Sequence, residues 1–422
     1  MINRLISTLT IDQARLMASM RQLAKVGQLP NGGVQRLAFS PEDCRARRLV
    51  ESWMQAAGME VAIDSAGNII GRYAGKFNDA PPLVTGSHID TVPSAGHYDG
   101  AYGVLTGIEV VRTLAAQGIR LDHPLEVIVF ADEERSMIGC KALSGQLLPD
   151  RELYRSRDGD PVDACLERIG GNWETISQVQ RAPGSIAAFV ELHVEQGPVL
   201  ESVGKEIGVV TGIVGQRRYW ISLEGRASHA GTTPMTMRAD ALVAASRLVL
   251  AINRIGNQPG DQVATVGSML LHPNVPNSIP GHVEMSLDIR DLSGDRLDAL
   301  VAEIQSEIHI IAQQTQTRIH LEQRLCNQPA PANSHIQSAI AQTCEDLQLS
   351  YYHLPSRASH DAQEIARITD MGMIFVPSEG GISHSEQEYT SSEKCAQGAN
   401  VLLHTLMRLD HHYRCCTTNA RG

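Results

Sequence analysis

The sequence lacks a long apolar run, a basic patch and any CxxC pair, and each absence excludes a class of protein. No segment approaches the roughly 20 uninterrupted apolar residues that a membrane helix requires. The net charge of -11 argues against a nucleic-acid partner. The eight cysteines resemble neither a disulfide framework nor a zinc knuckle, and reduced thiols are typical of the cytoplasm. We therefore expect a soluble cytoplasmic protein with no membrane and no nucleic-acid partner.

We expect no signal peptide in the first residues of the sequence and no metal site among its last ones. Charged residues interrupt the apolar residues of the first 27 positions, a pattern that indicates an amphipathic helix rather than a signal peptide. Near the other end, Cys415 and Cys416 follow His411 and His412 and could be mistaken for a metal site. A terminal segment of this kind is more typical of a frayed tail.

The rhythm of apolar segments predicts an α/β catalytic domain. Segments 82–89, 125–131 and 185–194 resemble buried strands of a parallel sheet. Between the first two, the apolar residues of Gly103–Gly118 recur at helical spacing. The rhythm resumes after the linker NQPAPANS, where MGMIFVPS reads as a further strand. We expect a mainly parallel sheet with helices on both faces.

A segment with a different order of predicted strands and helices separates the two parts of this domain. From about residue 212 to residue 328, the order is strand, helix, two strands, helix and strand, beginning with RRYWISLEG and ending with TRIHLEQR. That order predicts an inserted ferredoxin-like α+β domain. The 422 residues are also too many for one domain of the typical ~150 residues. The prediction is therefore a discontinuous catalytic domain, 1–211 and 329–422, interrupted by a second domain, 212–328.

Polar clusters follow the predicted strands of the catalytic domain. Because open α/β sheets bind ligands at the carboxyl ends of their strands, we expect these clusters to converge. In the first cluster, a metal-bound His88 would donate its second ring N–H to a carboxylate, and Asp90 lies two residues further on the same strand face. Asp90 would thus orient His88 in the catalytic centre, and Asp99 on the following glycine-rich loop could bridge two ions. Alone, this cluster is more often structural.

The remaining clusters complete a candidate two-metal site. Adjacent Glu133 and Glu134 repel each other unless a cation is near, so one could bind metal while the other acts as general base. A helix N-terminus that favours acidic residues is the alternative. Alternation puts His193 on one strand face with Glu191 and Glu195. For this histidine, and for His384 in GGISHSE, the alternative is a hydrogen-bonded loop residue, but all four clusters together favour two metal ions.

With these residues in hand, the chain resembles the hydantoinase/carbamoylase family of amidohydrolases, within the aminoacylase/carboxypeptidase-like dinuclear metallohydrolases. The resemblance covers nearly the whole chain. Its motifs are weak singly and specific together. In order they are GSHIDTV, DGAYGV, FADEE, ELHVEQGPVLE, GRASHAGTTPM, PNSIPG, SLDIRD and FVPSEGGISHSE.

The resemblance implies roles for the candidate metal ligands. His88 and His193 would hold one divalent ion, Glu134 and His384 the other, and Asp99 would bridge them, with Glu133 as general base. Zn2+ is the first choice of metal, and Mn2+, Co2+ or Ni2+ would also suit mixed imidazole and carboxylate ligands. Related exopeptidases usually have a carboxylate where this chain has His193, so HVEQGP favours the carbamoyl-amide branch.

The resemblance also implies substrate contacts and a lid and dimerisation role for the inserted domain, hence a homodimer. His229 would polarise the substrate carbonyl, Asn277 and Arg290 would hold the substrate carboxylate, and Gln196 would line the pocket. An arginine matches a carboxylate in bidentate fashion, and an imidazole can stabilise an oxyanion. Without the resemblance, Arg290 reads as a surface salt bridge in DIRD and Asn277 as a turn residue.

One segment departs from the commonest family pattern. Many members read SGAGHDA, whereas this chain reads SRASHDA from Ser356 to Ala362, closer to some ureidoglycolate and carbamoyl-amino-acid hydrolases. His360 and Asp361 are expected near the pocket, and Arg357 is expected to contact a substrate anion or to pair with a surface acid. The departure leaves the substrate open within one reaction class.

The expected reaction is metal-dependent hydrolysis of the carbamoyl C–N bond of an N-carbamoyl-L-amino acid, which releases ammonia, carbon dioxide and the amino acid. The alternatives are an allantoate or ureidoglycolate amidohydrolase, then an exopeptidase or aminoacylase. A metal-free binding protein on the same scaffold would usually have lost ligands, and this chain keeps all five.

Overall fold

The computed structural model describes residues 9–419, with side chains up to residue 414. Ile213–Ala330 forms one compact unit, and the remainder of the described chain forms the other. The side chains of Cys415 and Cys416, and the first eight residues of the predicted N-terminal helix, lie outside the described part. No helix within residues 9–419 is long and apolar enough to cross a membrane.

The strands are β1 (Glu60–Ile63), β2 (Ile69–Tyr73), β3 (Leu83–His88), β4 (Leu125–Phe130), β5 (Ala188–Val194), β6 (Ile207–Ile213), β7 (Gly215–Glu224), β8 (Ser228–His229), β9 (Val263–Thr265), β10 (Met269–His272), β11 (Ser278–Ile279), β12 (His282–Asp291), β13 (Arg318–Asn327), β14 (Ala330–Pro331), β15 (Tyr351–Ser356) and β16 (Met371–Val376).

The α-helices are α1 (Gln13–Ala24), α2 (Pro41–Ala56), α3 (Ala101–Ala116), α4 (Ile138–Ser144), α5 (Val162–Arg168), α6 (Val199–Ser202), α7 (Ala241–Gly256), α8 (Gly294–Thr315), α9 (Ser334–Asp346), α10 (Asp361–Ile365) and α11 (Ser392–Asn419). Short 3-10 helices are Arg151–Tyr154, Trp173–Val179, Met235–Met237 and Glu379–Gly381.

A mixed sheet forms the centre of the larger unit, in the order β1-β2-β4-β3-β5-β16-β6-β14, with β15 paired to β6. The four central strands, β4, β3, β5 and β16, run parallel, and every residue in them is buried. Burial on both faces explains their continuous apolar runs. The α/β class agrees with the sequence prediction.

The edges of this sheet are antiparallel, which the prediction of a mainly parallel sheet did not include. β2 runs antiparallel to β4, and β6 runs antiparallel to β16. The turn of residues 64–68 joins β1 to β2, and so short a connection can join only antiparallel neighbours. One hydrophobic cluster packs residues of α1, α2, α3, α9 and α11 against the sheet, and a smaller cluster contains residues of α4 and α5.

The smaller unit contains a five-stranded antiparallel sheet in the order β10-β12-β7-β13, with β9 also paired to β12. Apolar residues of α7 and α8 form one core with those of β7 and β12. Of the two strands expected between the helices of this unit, the first, VATVGSML, is divided into β9 and β10, because residues 266–268 leave the pairing with β12. A separate two-stranded sheet joins β8 to β11.

Candidate metal centre

The ends of the central strands bring the five candidate metal ligands together in the larger unit. His88 is the last residue of β3, and His193 is the last but one of the neighbouring β5. Glu134 follows β4, and His384 follows β16. Asp99 lies two residues before α3, on the loop that leaves β3. Parallel strands end at the same edge of a sheet, so their polar extensions meet there.

Asp99 lies between three imidazoles. Its Oδ1 is 3.1 Å from Nε2 of His193 and 3.5 Å from Nε2 of His88, and its Oδ2 is 3.2 Å from Nε2 of His384. Although burial alone would raise it, these imidazoles hold the pKa of Asp99 well below its ordinary value. Four groups of possible ligand atoms lie within 4.8 Å of one another among the described residues. Asp99 belongs to two of them, one with His88 and His193 and one with Glu134 and His384. The other two are His88 with Glu133 and Glu134, and Glu191 with His193 and His360.

Backbone carbonyls orient the two buried imidazoles. Nδ1 of His88 donates to the carbonyl of Asp90 at 2.9 Å, and Nδ1 of His193 donates to the carbonyl of Val194 at 2.8 Å. Both rings therefore direct Nε2 towards Asp99. A carbonyl acceptor on the second ring nitrogen is typical of metal-binding histidines.

The carboxylate of Asp90 lies beside His88 but does not accept the ring hydrogen bond that strand alternation predicted. Its carboxylate Oδ1 is 3.7 Å from Nδ1 of His88, which already donates to the Asp90 carbonyl. The carboxylate instead accepts from the backbone N–H groups of Glu133 at 3.4 Å and Glu134 at 3.2 Å. Because β3 ends at His88, the alternation of side chains does not extend to Asp90. Asp90 thus positions the Glu133–Glu134 pair.

Glu133 and Glu134 face different imidazoles. Oε2 of Glu133 is 3.5 Å from Nε2 of His88, and Oε2 of Glu134 is 3.7 Å from Nε2 of His384. Burial, with Asp361 and Glu134 among the acids nearby, raises the pKa of Glu133 well above its ordinary value. Burial and Asp99 raise the pKa of Glu134 to about 7. Both carboxylates therefore lie where a cation would stabilise their charged forms.

The residues of this site fit divalent cations. Oε1 of Glu134 is buried and has no hydrogen-bond partner among the described residues, although a buried carboxylate oxygen normally has one. Gly100, at φ 61°, passes so close to His88 that a Cβ would lie 2.4 Å from its Nε2. Mixed imidazole and carboxylate ligands suit Zn2+ and similar ions. The absence of a side chain on Gly100 keeps the space beside Nε2 of His88 open, and Oε1 of Glu134 is available as a ligand. Both features fit a bound cation.

Two of the predicted substrate contacts lie beside these ligands. Gln196, at φ 58°, donates from Nε2 to Oδ2 of Asp99 at 2.8 Å. His360 is 2% exposed, and its ring packs edge-on against His193 with 4.7 Å between ring centroids. Burial and the neighbouring His193 lower the pKa of His360 well below its ordinary value, so that the ring is neutral. Arg357, in the same segment, is exposed.

The other predicted contacts lie in the smaller unit. His229 on β8 pairs with β11, and the N–H of Ala230 donates to the carbonyl of Asn277 at 3.0 Å, which brings His229 and Asn277 together. Nδ1 of His229 accepts from the N–H groups of Gly231 at 3.0 Å and Thr232 at 3.2 Å. The neutral ring must therefore carry its proton on Nε2, which is the tautomer that can donate to an oxyanion.

Arg290 lies on β12, where its Nε donates to Oδ1 of Asp288 at 2.8 Å. The pair is the salt bridge within DIRD that the motif alone suggested. The same carboxylate accepts from Arg218 on the adjacent strand at 3.2 Å. Asp288 thus fixes the Nε side of the Arg290 guanidinium group.

Sequence reasoning missed one buried acid of the larger unit. Glu388 is hydrogen-bonded to the backbone of Asp99, and it has no spacing to a metal ligand that distinguishes it from a surface acid. Asp361, which is expected near the pocket with His360, is fully buried. Burial and Glu191 raise the pKa of Asp361 well above its ordinary value.

Comparisons with known proteins agree with this geometry. The profile of peptidase family M20/M25/M40 matches residues 84–408. An N-carbamoyl-L-amino acid amidohydrolase of Geobacillus stearothermophilus is 39% identical over 94% of this chain and 99% of its own length. A ureidoglycolate hydrolase of Arabidopsis thaliana is 37% identical over 96% of this chain and 88% of its own. A hydantoinase/carbamoylase family amidase from Burkholderia multivorans has a TM-score of 0.89 at 38% identity, covering 95% of this chain and 98% of that one.

Proposed function

This chain belongs to peptidase family M20/M25/M40, among its hydantoinase/carbamoylase amidases, and on that premise we propose that it hydrolyses the carbamoyl C–N bond of N-carbamoyl-L-amino acids. The observation that carries the proposal is the position of Asp99, whose two oxygens face separate imidazoles. In our proposal two divalent ions occupy these two groups of ligands, with Zn2+ as the first choice. Glu133, whose Oε2 lies 3.5 Å from Nε2 of His88, serves as the general base in this proposal.

The chain's own residues supply the steps around the metal centre. Divalent ions held by His88, Asp99, Glu134, His193 and His384 would supply Lewis acidity for activating a water and polarising a carbonyl. Glu133 accepts the proton of the attacking water and returns it to the leaving nitrogen. The Nε2–H of His229 stabilises the oxyanion that forms on the ureido carbonyl. This step breaks one C–N bond of the ureido group and leaves a carbamate, which breaks down to carbon dioxide and the second nitrogen compound. The final products are ammonia, carbon dioxide and the amino acid.

Two further residues of the smaller unit hold the substrate in this proposal. Arg290 and Asn277 bind the carboxylate of the carbamoyl amino acid, and the Asp288 contact supports the proposal because it orients the guanidinium group. Gln196 lines the pocket beside Asp99, and His360 supports the wall behind His193. Arg357 contributes a second contact to the substrate anion.

Replacing Arg290 with glutamine should raise KM by about 10- to 100-fold and change kcat little. A hydrogen bond to a charged group contributes about 1.5 to 3 kcal/mol, and this one is made equally to substrate and transition state. Steady-state kinetics with an N-carbamoyl-L-amino acid measures the effect. Arg254→Gln is the matched control, because Arg254 is an exposed arginine of the same unit that pairs with Glu307. Equal KM values for the two variants would contradict the assigned role.

A substrate panel tests the function itself. The metal-loaded protein is incubated with N-carbamoyl-L-amino acids, their D-enantiomers, allantoate, ureidoglycolate and N-acetyl amino acids, and ammonia or amine release is measured with and without chelator. We expect chelator-sensitive turnover of the N-carbamoyl-L-amino acids. Preference for ureidoglycolate or allantoate would keep the mechanism and replace the substrate, in line with the Arabidopsis relative. Turnover of N-acetyl amino acids alone, or of nothing, would refute the proposal.

We further propose that the smaller unit is a ferredoxin-like lid and dimerisation domain and that the protein is a cytoplasmic homodimer. The two helices that share a core with an antiparallel sheet support the first part. The six described cysteines are free thiols, which supports a reducing compartment. In this proposal, lid closure excludes bulk water during hydrolysis.

A further inference from the structure

The carboxylate of Glu388 joins two segments that carry candidate metal ligands. Its Oε1 accepts from the backbone N–H groups of Tyr98 at 2.8 Å and Asp99 at 3.1 Å. Its Oε2 accepts from the hydroxyl of Ser383 at 2.8 Å. Ser383 immediately precedes His384, and the same hydroxyl lies 3.4 Å from Oδ2 of Asp99. One buried side chain thus connects the Asp99 loop with the His384 loop.

The Asp99 loop is shaped to receive this side chain. A Cβ on Gly96 would lie 2.3 Å from Cβ and 2.5 Å from Oε1 of Glu388. Gly96 does not have a positive φ, so its backbone conformation does not require glycine. The requirement comes instead from the Glu388 side chain, which fills the space that a Cβ would need. Glu388 is 5% exposed, and a buried carboxylate is costly unless hydrogen bonds compensate it. Its three donors all belong to the two ligand loops.

We infer that Glu388 is a positioning residue that fixes Asp99 and His384 relative to each other. The inference rests on the proposed metal centre. Glu388 touches neither substrate nor ion in this assignment and acts through the backbone of Asp99 and through Ser383. His88 and His193 do not depend on it, because β3 and β5 position them and backbone carbonyls orient their rings.

This asymmetry predicts an unequal effect on the two ions. The group of Asp99, Glu134 and His384 draws two of its three members from the loops that Glu388 joins. The group of His88, Asp99 and His193 draws only Asp99 from them. Loss of Glu388 should therefore weaken the binding of the ion at the first group more than the binding of the ion at the second.

Titration of the metal-free protein with Zn2+ tests the inference without measuring activity. We expect two binding events in the wild type. In Glu388→Ala, the affinity of one event should fall by about 10- to 100-fold, as is usual when a residue supporting a ligand is lost, while the other stays within about threefold. Glu388→Gln keeps an acceptor for the two N–H groups and should lie between. Glu393→Gln, an exposed glutamate at the start of α11, is the matched control and should titrate as the wild type.

Two further variants keep the test decisive if Glu388→Ala does not fold. Ser383→Ala removes one of the three hydrogen bonds, and Gly96→Ala displaces the carboxylate without changing it; both should weaken the same event. Thermal unfolding of the metal-free proteins reports on folding separately. The inference would be overturned if every variant bound both ions with wild-type affinity. It would also be overturned if both affinities fell equally, in proportion to lost stability. A wild-type protein that binds fewer than two ions would instead refute the proposed metal centre itself.

Discussion

Replacing Glu133 with glutamine should lower kcat by about two to four orders of magnitude, the usual contribution of a general base. Glutamine keeps the shape of the side chain but cannot accept a proton from water or return it to the leaving nitrogen. KM should change little, because the proposed substrate contacts lie on other residues. Steady-state ammonia release by the metal-loaded variant measures the effect.

The adjacent Glu134→Gln variant separates the two roles that neighbouring glutamates play in this proposal. Oε2 of Glu134 faces His384, whereas Oε2 of Glu133 faces His88. Glu134→Gln should therefore lose bound metal, and Glu133→Gln should keep the wild-type metal content while losing turnover. Metal analysis of both proteins after dialysis distinguishes them. Full activity of Glu133→Gln would refute its assignment as general base.

The strands and their polar ends were predictable from the sequence for a physical reason. A parallel strand buried on both faces must be apolar along its whole length, so β3, β4, β5 and β16 appear as apolar runs. Residues immediately beyond such runs must lie at one edge of the sheet. That rule was sufficient to predict that His88, Glu134, His193 and His384 lie close together, without any knowledge of their contacts.

The sequence could not predict contacts that depend on where a strand ends. Alternation placed the Asp90 carboxylate against His88, yet β3 ends at His88 and the carboxylate turns to the N–H groups after β4. The antiparallel edge strands β1 and β2 were not predicted, because they are short and only partly apolar. Glu388 was missed because two of its three hydrogen-bond donors are the backbone N–H groups of Tyr98 and Asp99, far away in the chain.

Metal affinity should decrease steeply as the pH falls from 8.5 to 6.5. In the metal-free protein, the hydrogen bond to Asp99 raises the pKa of His384 to about 9, and burial with Asp99 raises the pKa of Glu134 to about 7. At neutral pH His384 therefore holds a proton and Glu134 is about half protonated, and these protons must leave before a cation binds. Affinity for this ion should therefore fall about tenfold per pH unit above pH 7 and up to about a hundredfold per unit below it.

The size of this dependence distinguishes the coupled site from separate side chains. With ordinary pKa values of 6.5 for histidine and 4.5 for glutamate, affinity would be nearly constant above pH 7. Competition of Zn2+ between the protein and a chelator, corrected for proton uptake by the chelator, gives the affinity at each pH. Calorimetry in buffers of different ionisation enthalpy should count close to one proton released for this ion at pH 8 and more at pH 6.5. An affinity that is flat between pH 7 and 8.5 would mean that Asp99 does not hold a proton on His384, and would remove the electrostatic basis for assigning both residues to one ion.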